Sequence, residues 1–195
     1  MSETRSPRAM AQVYKVCLLG EGGVGKTAFL HKLLTGKFEQ RYVPTCGVDV
    51  QTLIGSRTFN VWDCAGQENF RGLSDAYYMG AHGALLMCDA TSLQTFETLG
   101  KWIIEFRRVQ RTAPIVVCVG KMDCVTSLTR DQQQILRTLP EEVGVVVFST
   151  KTMALNSLLA LLEASFTSNF RVVNPFRPHA RRRRMLAVAI PLSSI

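Results

Sequence analysis

The chain runs to 195 residues, 47% of them hydrophobic, with a formal net charge of +8. That length suits one domain with a short appendage and is enough to bury a full core. The polar start has no apolar h-region, so no secretory signal is visible, and no stretch nears the ~20 apolar residues that span a bilayer, so a soluble, intracellular protein is expected.

Met1 to Ala11 reads as a flexible start. The apolar run Val13–Leu19 predicts a strand, and directly behind it stands Gly20-Glu21-Gly22-Gly23-Val24-Gly25-Lys26-Thr27, a complete GxxxxGK[ST] sequence that opens a helix predicted over Lys26–Leu34. Strand, glycine-rich turn and helix in that order make a phosphate-binding loop. The glycines let backbone N–H groups turn inward around the α- and β-phosphates, and the helix N-terminus adds a favourable dipole. Lys26 is placed to reach β/γ oxygens, and the Thr27 hydroxyl to ligate Mg²⁺. Binding of a nucleoside triphosphate is the expectation.

Farther along, Val48–Ile54 and Thr58–Trp62 read as strands, with Gly55-Ser56 as a tight hairpin between them, giving one antiparallel pair. Asp63-Cys64-Ala65-Gly66-Gln67-Glu68 follows. An acid at a strand end can hold a Mg²⁺ shell through water, Gly66 lets its N–H approach a γ-phosphate, and Gln67 lies where a side-chain amide can orient an attacking water. Thr45, between the first helix and second strand, offers a hydroxyl to complete the Mg²⁺ shell when a γ-phosphate is present.

A short helix is read over Ser74–Tyr78, a strand over Ala84–Cys88 and a helix over Gln94–Gln110. The strand Ile115–Val119 is near-continuous and β-branched, as expected of burial on both faces. Helix Arg130–Leu139, strand Val143–Phe148 and helix Ala154–Phe166 complete the order. In the last, Leu155, Leu158, Leu159, Leu161 and Leu162 form a broad apolar face. This alternation predicts an α/β fold over residues 12–168, an open, mostly parallel six-stranded sheet with one antiparallel strand and helices on both faces.

The phosphate loop, the DxxGQ segment and Thr45 together resemble the small Ras-like GTPases. The stretches LTGKFEQRYVPTCGVDV from Leu34, FNVWDCAGQENFRGLSDAYYMGAHGALLMCDATS from Phe59 and KWIIEFRRV from Lys101 are similar to the Ran family of GTP-binding nuclear proteins. The resemblance covers about residues 12 to 168 and is most specific in the block from Phe59. It implies a GTP/GDP switch with Mg²⁺ that hydrolyses GTP slowly and depends on an activator. Thr27, Thr45 and Asp63 would serve the metal, Phe38 would pack against the base, Gln67 would position the water, and Tyr42 would bear on that glutamine. Ser149-Thr150-Lys151 stands where the family has its SAK base-contacting loop. Ras-like proteins read guanine with Asn-Lys-x-Asp, and this chain has Gly120-Lys121-Met122-Asp123. Asp123 remains to accept from guanine N1 and N2 hydrogens, and the Lys121 stem can cover the ring. The absent Asn amide should cost about 1–3 kcal/mol, or roughly 5- to 150-fold in affinity.

The resemblance further implies partners of the importin-β transport-receptor class, a guanine-nucleotide exchange factor and a GTPase-activating protein. A monomer shared between nucleus and cytoplasm is expected. Two alternatives stay open: a divergent pseudo-GTPase scaffold with weakened guanine binding, and a Rab-like trafficking GTPase.

Beyond about Asn169 the periodicity fails, and residues 169–195 read as a basic tail. Residues 170–195 hold six arginines and no acid, so +6 of the charge sits there, against +1 in residues 1–11 and +1 in the rest. Arg181-Arg182-Arg183-Arg184 reads as a solvated end, as a nuclear-localisation or nucleic-acid patch, or as a weak contact with an anionic membrane. Where Ran ends in an acidic motif, this chain carries arginines. No cysteine follows Cys124, so no prenyl anchor is expected. Six cysteines without a CxxC pair point to reduced thiols, and His31, His82 and His179 form no ligand cluster.

Overall fold

The computed structural model describes residues 12–40, 43–66, 74–165 and 174–176. In chain order it contains β1 (Val13–Leu19), α1 (Lys26–Thr35), β2 (Val48–Ile54), β3 (Thr58–Cys64), α2 (Ser74–Tyr78), β4 (Gly83–Asp89), α3 (Gln94–Glu97), α4 (Leu99–Val109), β5 (Ile115–Gly120), α5 (Arg130–Thr138), β6 (Gly144–Val147) and α6 (Leu155–Ser165). The strands form one six-stranded sheet in the order β2-β3-β1-β4-β5-β6. Only β2 runs antiparallel to its neighbour, with Val48 opposite Cys64 and Ile54 opposite Thr58.

Successive strand residues point to opposite faces, and both faces are covered. From β1, Val16 and Leu18 join a core with Phe29, Leu30 and Leu33 of α1 and Leu158 and Leu162 of α6. Cys17 and Leu19 join the other core, with Tyr78 of α2, Phe96 of α3, Ile103 and Phe106 of α4, and Leu136 of α5. β4 and β5 are buried at every residue, which is why they read as apolar runs, whereas edge strand β2 leaves Val50 and Ile54 exposed.

This topology selects the site. The chain leaves β1 for β2 and β3 on one side and returns through β4 on the other. The C-terminal end of β1 is therefore a switch point, the place where open α/β sheets leave a crevice for a ligand.

Some boundaries differ from those read in the sequence. The helix expected over 94–110 is two helices meeting at Thr98, whose hydroxyl bonds back to the Thr95 carbonyl and so competes with the helical ladder. The hairpin turn has three residues rather than two, because Ile54 already pairs with Thr58. A 3-10 turn over Met122–Cys124 is additional. Asn174 to Phe176, within the expected tail, pack on α5: the Asn174 amide donates to the Leu136 carbonyl at 2.5 Å, and Phe176 enters the α3–α5 core. Phe166 lies outside the described residues, as do residues 1–11.

Candidate functional site

Gly20, Gly23 and Gly25 hold φ of 126°, 77° and 105°, the left-handed region that L side chains rarely adopt. The chain thereby curls from β1 into α1. Gly25 is the N-cap of α1 and offers no side chain to its first turn, so those N–H groups are left for an anion. Lys26, 6% exposed, donates from Nζ to the carbonyls of Gly20 and Glu21, each at 2.8 Å. Burial is the largest influence on this ammonium and pulls its pKa below the usual lysine range, while Asp63 opposes the shift. The Trp102 indole N–H donates to the Glu21 carboxylate at 3.2 Å, so α4 braces the outer edge of the loop.

The three expected metal-site residues converge beside it. Thr27 Oγ1 donates to Asp63 Oδ2 at 2.6 Å and lies 3.0 Å from Thr45 Oγ1. Since Thr27 has one hydroxyl proton and Asp63 takes it, Thr45 is the donor in the second contact. Asp63 is fully buried, and its Oδ1 has no hydrogen-bond partner. Burial raises the Asp63 carboxyl above the usual range, against the Thr27 hydrogen bond and the Lys26 charge. An unpaired buried carboxylate oxygen is costly, and a divalent cation beside it would offset that cost. One carboxylate behind two hydroxyls, with phosphate oxygens and water to finish the shell, fits Mg²⁺.

Gly66 closes this end of the cavity. A Cβ there would sit 2.4 Å from the Glu21 carbonyl carbon and 2.4 Å from the Gly22 nitrogen, so only glycine lets the two backbones lie together.

The end expected to hold the base is built on β5 and the loop after β6. Lys121, at φ 58°, sends Nζ to the Gly23 carbonyl at 2.8 Å and to Asp89 Oδ2 at 2.6 Å. The Ser149 hydroxyl donates to Asp123 Oδ1 at 2.6 Å, and this bond is the largest of the influences that hold the Asp123 carboxyl below its usual range. Asp123 thus stays an acceptor at neutral pH.

Between the two ends lies a cavity of about 710 Å³. Gly22 to Thr27, Phe38, Thr45, Gly66, Lys121, Asp123, Thr150 and Lys151 line it. Gly20, Glu21, Asp63 and Ser149 stand behind that lining, where they hold Lys26, Thr27 and Asp123. Tyr42, Gln67 and Arg181 to Arg184 lie outside the described residues. Among those described, no group of three or more His, Cys, Asp or Glu could hold a metal, in keeping with a site of hydroxyls and one carboxylate.

Asp89 is a site residue the sequence reading misses. Its one signal is an acid ending a strand beside the strand that carries the base motif. Oδ1 accepts from the Thr91 N–H at 2.8 Å and hydroxyl at 2.7 Å, and Oδ2 from Lys121. Burial alone would raise this carboxyl, but the Lys121 and Thr91 bonds outweigh it and hold the pKa below the usual carboxylate range. Because the folded pKa is depressed, the stabilisation is complete above the unfolded pKa and is lost as pH falls through the folded one. Asp89→Asn should cost about 1 kcal/mol at pH 7, discounted for the half-exposed lysine. Thermal melts of both proteins should keep a constant gap above about pH 4, and the gap should close below it.

Residues 15–123, more than half of the chain, match the family model described as Roc, the Ras of Complex domain of DAPkinase. The matched span starts in β1 and ends at Asp123, taking in the phosphate loop, Thr45, Asp63, Gly66 and Lys121.

Proposed function

The chain belongs to the Roc family, a Ras-like GTPase family, and on that premise we propose that it is a guanine-nucleotide switch that binds GTP or GDP with Mg²⁺ and hydrolyses GTP slowly. The observation that carries this reading is one cavity with Lys26, Thr27, Thr45 and Gly66 at its phosphate end and Lys121 and Asp123 at its base end. The donors of Lys26 that now meet the Gly20 and Glu21 carbonyls are the ones available to phosphate oxygens. The Thr27 and Thr45 hydroxyls, with Asp63 behind them, would hold Mg²⁺, which supplies charge neutralisation at the β/γ oxygens. Gly66 rests against Glu21–Gly22 with no room for even a methyl group. A γ-phosphate at that contact must part the two backbones, and its loss lets them close again, which couples hydrolysis to loop position. Gln67, next in the chain, is the proposed water-positioning residue, assisted by Tyr42. An activating protein would supply the rest of the rate.

The finer proposal is a Ran-like switch whose GTP form engages a transport receptor of the importin-β class, in nucleus and cytoplasm, with an exchange factor and an activator. It is supported by the similarity of the stretches from Leu34, Phe59 and Lys101. A pull-down with importin-β charged with GTP against GDP protein tests it; equal recovery of both forms would overturn it.

Gly120 favours a second reading, a scaffold with weak guanine binding. Titration of fluorescent GDP, GTP and ATP decides between them, and Gly120→Asn sharpens the decision. A Cβ at 120 meets only the Cys88 and Val24 carbonyls, at 3.6 and 3.8 Å, so asparagine fits and its amide can reach Val24. GDP affinity should rise about 5- to 150-fold, with ATP unchanged. No gain for GDP would mean that the base does not sit at Asp123.

A further inference from the structure

Lys32 lies on α1, the helix that grows from the phosphate loop, and no part of the nucleotide mechanism above uses it. It is 7% exposed. A lysine so buried is uncommon unless its charge is met. All three ammonium donors are taken, by the carbonyls of Thr150 at 2.6 Å, Lys151 at 3.1 Å and Met153 at 2.7 Å. Those acceptors belong to one short segment, the loop from β6 to α6, more than 115 residues away in sequence.

That segment is the wall of the base end. Thr150 and Lys151 line the cavity. Ser149 bonds Asp123, and the Thr152 N–H donates to the Ser149 hydroxyl at 3.1 Å. In a planar trans peptide the C=O and the following N–H point in opposite directions. Holding the Thr150 carbonyl on Lys32 therefore turns the Lys151 N–H away from Lys32. Holding the Lys151 carbonyl does the same for the Thr152 N–H, which meets Ser149 Oγ. The Lys151 N–H, a donor that could read a carbonyl on the base edge, is thus oriented from behind by one ammonium. At position 120, where Ras-like proteins place a side-chain amide tying the base motif to the phosphate loop, there is no side chain.

We propose that Lys32 is a positioning residue that clamps the 149–153 loop to the phosphate-loop helix and thereby sets selectivity for guanine over adenine. The proposal rests on reading the cavity as a guanine-nucleotide site. Lys32 touches no ligand itself. It fixes the wall against which the base is read, so its loss should act on base recognition and leave phosphate binding alone.

The test compares the full chain with Lys32→Met, which keeps length and apolar stem, and Lys32→Gln, which keeps a donor if the methionine form folds poorly. GDP, ADP and inorganic tripolyphosphate are titrated, and amide hydrogen exchange is followed without nucleotide. Expected are a loss of GDP affinity of about 10- to 100-fold, unchanged tripolyphosphate affinity, and faster exchange at 150–153 with β4 and β5 unaffected. Wild-type GDP selectivity retained in a folded variant, with exchange at 150–153 unchanged, would overturn the clamp and leave the nucleotide reading intact. Equal loss of GDP and tripolyphosphate binding would overturn it too, as general damage. If the wild type itself fails to prefer GDP over ADP, the nucleotide reading falls, and the proposed role in base selectivity falls with it; the exchange data still decide whether Lys32 holds the loop.

Discussion

Replacing Gly20 with alanine should lower the melting temperature more than any other single methyl group added to the site. The position holds φ 126°, and a Cβ built there lies 2.2 Å from the Met87 carbonyl oxygen. That obstacle is the backbone of β4, packed beside β1 in the centre of the sheet, and cannot swing aside as a side-chain tip would. Strain at such a φ costs about 1–3 kcal/mol, and shifting a central strand adds to it. A total of about 3 kcal/mol corresponds to a fall of about 6–12 °C for a domain of this size. Alanine at Gly23, also at positive φ (77°) but with nothing within 4 Å of the added Cβ, is the control and should lose only its own backbone strain. Calorimetry of the two variants checks this; equal melting temperatures would mean that the Gly20–Met87 approach is not fixed in solution.

Lys26→Met should separate stability from binding. In the free protein this ammonium is buried and disfavoured by desolvation, with two carbonyls as its hydrogen-bond acceptors. Replacing a buried charge by an apolar chain of similar length is often neutral or stabilising, offset here by two carbonyls losing a donor. The ligand-free melting temperature should therefore move by a few degrees at most. Nucleotide binding should collapse. Charge-assisted hydrogen bonds contribute about 1.5–3 kcal/mol each, so losing two of them from phosphate oxygens weakens affinity about 10²- to 10⁴-fold. Fluorescent-GDP titration beside a thermal melt reads both effects. Near-wild-type affinity would remove Lys26 from the phosphate site.

The phosphate end was legible in the sequence because its chemistry is local. Glycines that need left-handed φ, the lysine and the threonine lie within eight consecutive residues. Asp63 and Gly66 were legible because their spacing follows a strand end. The base end was less so, since its parts come together only through sheet order. Asp89 reads as an ordinary strand-end acid until β4 pairs with β5 and sets it opposite Gly120. Lys32 reads as a solvated helix lysine, yet it sits three residues after Phe29, on the face that Phe29 and Leu33 bury. That periodicity was the available signal. The break at Thr98 left none, because the apolar pattern of 94–110 runs through it.

Thr45 and Gly66 hang from the two free arms of one hairpin. β2 and β3 are laced together from Ile54–Thr58 to Val48–Cys64, and just beyond them the Ala65 N–H donates to the Gly47 carbonyl at 2.9 Å. The loops that would sense the metal and the terminal phosphate are thus tied by a rung before they diverge, and neither can travel far alone. A protein gripping the chain around 43–47 would feel a change at 63–66 that it never touches, as a hand on one tine of a fork feels the other struck.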